Sequence, residues 1–203
     1  GRRQNNSVEV HLHKYEYKME IIKTADYYKP GLKYTAYVKV SNHNGKPLSA
    51  DKNVVKIRHG YSRINEIYQE ETYQLNKNGV FKLELFTPTQ FTNETALRIE
   101  AEYLDLKERM PPVPASSSPT NTSLQVNLVS DRNPVVNELV EVIANCTEPM
   151  KYINYQVIGR GAILAAHSFQ IENRKEFRFH FTATYAMAPI AHLLVNYVQP
   201  NGQ

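Results

Sequence analysis

The chain of 203 residues has no tryptophan, eight glycines and one cysteine, Cys146. A single cysteine excludes an internal disulfide, so the fold is neither stapled by a bridge nor built around a redox pair, and compartment has to be read from another signal. No uninterrupted apolar run approaches the roughly 20 residues of a membrane-spanning helix. No charged and then apolar leader stands at the start, so a signal peptide, if one existed, has been removed or lies outside this chain. Concentrated charge of one sign is absent as well. The net charge of +4 is scattered, its densest group being Arg2-Arg3. That distribution argues against a nucleic-acid groove and for a solvated surface of mixed charge.

Fourteen tyrosines and seven phenylalanines are present, residue types that favour half-buried strands. The helical period is almost missing, whereas alternation of period two recurs. Tyr34, Ala36, Val38 and Val40 alternate with Lys33, Thr35 and Lys39; Phe81, Leu83 and Leu85 with Lys82 and Glu84; Leu97, Ile99, Ala101 and Tyr103 with Arg98, Glu100 and Glu102. Such segments fit antiparallel sheets with one wet face. Further strands are predicted over 15–22, 54–58, 68–75, 124–129, 139–144, 152–158, 177–181 and 193–198. Turn signals separate them at Asn44-Gly45, Asn78-Gly79, Asn133-Pro134 and Pro200-Asn201-Gly202.

The proline- and serine-rich stretch 110–123 interrupts this pattern, since proline removes ladder donors and serine packs poorly. It reads as a connector, with the linker proper at 111–120. Residues 1–13 form a lead-in strand or the tail of a preceding domain, 14–110 one domain and 121–203 a second. Either domain has the size of a seven-stranded β-sandwich. The halves echo each other at an offset near 100 residues: Asn78 to Phe86 matches Asn173 to Phe181, and Ala96 to Leu104 matches Ala191 to Gln199. The final turn lacks a return strand, so the second sandwich is expected to be incomplete and the chain a fragment of something longer.

The search for chemistry returns little. His11 and His13 share one face of a strand but bring no third ligand. No G-x-S-x-G surrounds Ser116 to Ser118. Cys146 has no basic neighbour and is expected at a strand end as a small buried residue. The pairs Glu70-Glu71 and Glu100, Glu102 fall on solvent faces. Gly159-Arg160-Gly161 reads as a tight hairpin turn with an exposed arginine at its tip. Four triplets fit N-x-[ST] and predict glycosylation at Asn5, Asn93, Asn121 and Asn145, hence a secreted protein. No enzyme, cofactor or metal site is predicted.

The stretch YYKPGLKYTAYVKVSNHNGKPL (27–48), with Cys146-Thr147-Glu148-Pro149, MKYINYQVIGRGAIL (150–164) and MAPIAHLLVNYVQPNG (187–202), resembles macroglobulin-like domains four and five of the thioester-containing proteins in the α2-macroglobulin and complement superfamily, most closely the insect branch. The resemblance covers nearly the whole chain. It implies an all-β fold of two tandem seven-stranded antiparallel sandwiches, macroglobulin-like and fibronectin-III-like, the second ending before its last strand. The family's thioester needs G-C-G-E-Q, which this chain lacks, and no protease bait segment is visible. The implied role is a non-catalytic scaffold and interaction surface in a secreted protein of innate immunity or protease trapping. Its partners would be the remaining domains of the parent, other proteins or proteases, without nucleic acid. The second reading is an adhesion or receptor-ectodomain pair that binds a ligand directly, although the disulfide and tryptophan of immunoglobulin domains are missing.

Overall fold

The computed structural model describes residues 6–48, 54–61, 69–92, 95–117, 122–130 and 132–198. Among these residues the regular structure is antiparallel sheet, plus one 3-10 turn at Tyr185–Met187. Two compact units emerge. One holds Gly1–Asp26, Thr35–Leu85 and Thr92–Pro114, the other Tyr27–Tyr34, Phe86–Phe91 and Ala115–Gln203. The later unit therefore draws two short pieces from the first half of the chain.

The strands of the earlier half are β1 (Tyr17–Lys23), β2 (Lys33–Asn42), β3 (Val54–Gly60), β4 (Gln69–Gln74), β5 (Val80–Phe86), β6 (Ala96–Tyr103), β7 (Leu106–Arg109) and the two-residue β8 (Val113–Pro114). They form one sheet in the order β1-β2-β5 and another in the order β4-β3-β6-β7, with β8 beside β6. Alternation decides which side chains go inside: Ala36, Val38 and Val40 of β2, Val55 and Ile57 of β3, Leu83 and Leu85 of β5, and Leu97, Ile99 and Ala101 of β6 are all buried. Rings join the sheets at two places. Tyr17 meets Tyr103 edge-on at 5.0 Å, and Tyr73 stacks on Phe81 at 4.0 Å. The seven longer strands thus make the expected sandwich. Within the proline-rich connector, Met110 and Val113 are themselves buried, the latter through β8.

Two turns of this unit share the sequence N-x-N-G. In each, the first asparagine caps the loop with its side-chain oxygen. Asn42 accepts from the amides of Asn44 and Lys46, and Asn76 from those of Asn78 and Val80. The glycine that follows, Gly45 or Gly79, takes the positive φ that such turns require.

The later unit is built from β9 (Leu124–Leu128), β10 (Leu139–Gly159), β11 (Ala162–Thr182) and β12 (His192–Val198). Separate strands over 139–144, 152–158 and 177–181 of a sandwich ending before its last strand were expected here; instead β10 and β11 are each 21 residues long and form one continuous hairpin. Its first half pairs β10 with β9, and its second half pairs β10 with β12. Val142 lies opposite Phe179, and Tyr155 lies 13 residues further along β10. On a straight strand that separation is about 43 Å at ~3.3 Å per residue, yet the rings of Tyr155 and Phe179 stack at 4.8 Å. The hairpin is therefore folded double, and one pair of strands supplies both layers of a sandwich.

The corner is where the register slips, between Asn145 and Met150 and again between Met150 and Tyr152. Opposite it, Asn173 takes a positive φ. Asn173 was expected to echo the Asn78 turn but works as a kink inside β11. Cys146 and Met150 fill the inside of the corner, both buried. Thr147 exchanges hydrogen bonds with Ser123, its amide donating to the carbonyl and its hydroxyl accepting from the amide. Cys146 accordingly sits in mid-strand, not at the strand end that the polar N-C-T-E-P run suggests.

Candidate functional site

His11 and His13 are exposed and lie before β1, outside any strand. Each is engaged with something other than a metal. His11 lies 3.8 Å from Glu9, and the His13 ring stacks on His43 at 3.5 Å with planes 10° apart. His43 Nε2 sits 2.7 Å from the carbonyl oxygen of Tyr15, so it donates there. No group of three metal-binding side chains occurs among the described residues.

The acidic pairs divide. Glu70 and Glu100 face solvent and join a ladder of cross-strand ion pairs with Lys56, Arg58 and Arg109, and Lys107 pairs with Glu102. Exposed pairs of this kind contribute little individually. Glu71, next in line on β4, points to the opposite side because adjacent residues of a strand do. It pairs in register with buried Ile57 and accepts a hydrogen bond from Tyr73. Burial, and then the bond to Glu71 and its charge, push the Tyr73 phenol up to about 12. Both glutamates are exposed, as expected, but on opposite sides of β4.

Arg160 and Gly161 form the two-residue tip of the β10–β11 hairpin, both at positive φ, as a type I′ turn requires. The arginine is not idle. Its Nε and Nη2 donate to the carbonyl oxygen of Ala188 at 3.1 and 2.8 Å, and the guanidinium lies 5.9 Å from the Tyr185 ring centre. It ties the β11–β12 connection to the hairpin tip.

Of the glycosylation triplets, those at Asn5, Asn93 and Asn121 place their asparagines outside the described residues. Asn145 lies in β10 between buried Ala144 and Cys146, so its side chain faces away from the core and is half-exposed. Gln125 and Glu176 flank it across the sheet.

One buried polar group was not anticipated. His59 continues the apolar face of β3 after Val55 and Ile57, is 6 % exposed, and its Nε2 has no hydrogen-bond partner. Burial lowers its pKa from the ordinary 6.5, against an opposing pull from Glu71. Below 6.5 the unfolded chain takes up this proton and the folded chain does not, so stability is lost as pH falls from 6.5 toward the lowered folded value. The urea midpoint of the first unit is expected to drop when pH is taken from above 6.5 to about one unit below it. In His59→Leu the part of the drop due to this group disappears. An unchanged pH profile in that variant would show that His59 finds a partner in solution.

Two protein-family models match in succession: the macroglobulin domain MG4 over residues 19–111 and, where a second macroglobulin-like domain without a visible bait segment was expected, the alpha-2-macroglobulin bait region domain over 118–203. Two alleles of thioester-containing protein 1 from Anopheles gambiae, R1 and S1, are each 23% identical over 193 residues, covering 92% of this chain and 13% of the relative. The chain thus spans a small part of the curated relatives it matches. Among solved structures, a Salmonella alpha-2-macroglobulin reacted with methylamine aligns with a TM-score of 0.44 at 11% identity over 92% of this chain and 15% of that one. An Escherichia coli alpha-2-macroglobulin activated by porcine elastase aligns at 0.40 and 12% over 92% and 19%.

Proposed function

We propose that this chain, which belongs to the α2-macroglobulin superfamily of thioester-containing proteins, is a non-catalytic scaffold and interaction segment of a secreted protein that acts in innate immunity or protease trapping. The observation that carries the reading is the succession of an MG4 domain and a bait region domain along one chain. The thioester motif G-C-G-E-Q does not occur in this sequence, so these residues themselves carry no thioester chemistry. The role left to these residues is to hold and present neighbouring parts, and the doubled hairpin suits it. Each long strand crosses both layers of the later unit, so moving one layer strains the other. The partners are the other domains of the parent, and proteases or other proteins that meet its surface.

The extracellular part of this reading is tested by peptide-level mass spectrometry of the protein secreted from animal cells. A glycan is expected on at least one of Asn5, Asn93, Asn121 and Asn145. Asn145, the one of the four within the described residues, has its side chain outward and half-exposed on β10. All four asparagines unmodified would remove the glycosylation from which the extracellular assignment is read.

A further inference from the structure

The later unit guards its sheet edges unequally. Among the described residues β11 pairs with β10 alone, so its other side is a row of unpaired main-chain groups. Charged side chains commonly protect such an edge, and the edge strands of the first unit have them: Lys18 and Glu20 on β1, Glu70 and Glu71 on β4, Lys107 and Arg109 on β7. From Glu172 onward β11 is charged in the same way. Residues 162–170 are not. This run, AILAAHSFQ, contains no Lys, Arg, Asp, Glu or Pro, and Ala162, Ile163, Ala166, His167, Ser168 and Gln170 are exposed. A bulge falls at Leu164, where Val157 pairs with Ala165 but Ile158 with Ile163. Residues 165–170 continue regularly, the length of an ordinary strand of about 5–6 residues. Strands β9 and β12 also lack charge, but neither has opposite charges at its two ends. The bare run of β11 does. Arg160 precedes it and Glu172 follows it, both exposed, and neither joins an ion pair among the described residues.

We propose that residues 162–170 of β11 pair antiparallel with the same run of a second copy of this chain, about a two-fold axis near Ala166 and His167, so that two β10–β11 hairpins join edge to edge. The occupant follows from the charges. Antiparallel self-pairing lays the Arg160 end of each run against the Glu172 end of the other, giving two contacts of opposite charge. Parallel self-pairing would set like ends together. The uncharged interior also puts no like charges opposite each other, which a self-paired run has to avoid. Ala166 and Ser168, on the outer face near the axis, are too small to collide across it. Affinity comes from main-chain hydrogen bonds, as in other strand additions, and a two-fold contact of one patch with itself closes at two copies. The run lies in the interior of the chain, and its pairing requires neither secretion nor the parent's other domains.

Sedimentation equilibrium of the 203-residue chain tests it. Monomer is expected at about 1 μM, and dimer without further growth as the concentration approaches about 500 μM. Ala166→Lys brings two lysines together across the axis and is expected to weaken the dimer about fivefold or more. Its melting curve at about 1 μM should match that of the unaltered chain, because Ala166 is exposed. Where that variant does not fold, Ser168→Lys gives the same comparison. Glu172→Arg is expected to weaken association about threefold, and adding Arg160→Glu to restore it. A chain that stays monomeric throughout overturns the proposal, as does a dimer equally strong with lysine at these positions. Growth past the dimer overturns it too, since β11 would then meet a different edge of the next copy.

Discussion

Phe179→Ala is expected to destabilise the later unit by about 3–5 kcal/mol, the range for removing a buried aromatic ring from a core. Phe179 is 5 % exposed and lies at the centre of the doubled hairpin. Its ring stacks on Tyr155 at 4.8 Å with planes 12° apart, and the rings of Phe169 and Phe177 stand 6.1 and 6.4 Å away. Tyr155 and Phe169 come from the half of the hairpin beyond the corner, Phe177 and Phe179 from the half before it. The substitution therefore removes contact between layers as well as volume. Against a typical domain stability of about 5–15 kcal/mol, the loss is large enough to shift the urea midpoint strongly. His180→Ala, one residue along and exposed on the opposite face, should stay within about 0.5 kcal/mol of the parent. A double-mutant cycle with Tyr155→Ala should show a coupling of about 0.5–1.5 kcal/mol. Additive losses would mean that the two rings do not stack in solution and that the hairpin is straighter than described.

Much of the first unit was legible because its signals are local. Alternation through Tyr34–Val40 and Phe81–Leu85 placed the buried face correctly, and each Asn-Gly pair marked a real turn. Strand β7 was missed because its connection, Leu104-Asp105, contains neither glycine nor asparagine, although Leu104 still takes a positive φ of 52°. The fold-back of the later unit was hidden for a different reason. A strand of period two reads the same on both sides of a corner, and what bends it is the packing of Met150 and Cys146 against distant residues. Polar residues and Pro149 there suggested an end to the strand, whereas the bonds of Thr147 to Ser123 and of the Tyr197 hydroxyl to Glu148 continue it. The outward direction of Asn145 follows from its neighbours and could be read in advance. The burial of His59 was also within reach, since Val55, Ile57 and His59 share one parity; its charge-bearing side chain hid it.

The second large effect concerns a turn residue outside any core. Gly79→Ala is expected to destabilise the first unit substantially more than Gly45→Ala, although both glycines close the same N-x-N-G loop. Their backbones are alike, with φ at 68° and 80°, so each substitution carries the roughly 1–2 kcal/mol penalty of a left-handed L-residue. Their surroundings differ. A Cβ at Gly45 would meet nothing within 4 Å, whereas one at Gly79 would stand 2.3 Å from the carbonyl oxygen of Val40. That oxygen belongs to β2 at a place where the Val40 amide donates to the Gly79 carbonyl at 2.8 Å. Relief therefore requires β2 and the turn to part and that hydrogen bond to stretch. Backbone rearrangement forced by an added carbon costs about 1–3 kcal/mol, so the two variants should be separated by that amount in urea titrations monitored by circular dichroism. The slope of each transition should be unchanged, since neither substitution alters the surface exposed on unfolding. Equal midpoints would place the clash in doubt and mean that the turn at Asn76–Gly79 stands further from β2 than 2.3 Å implies.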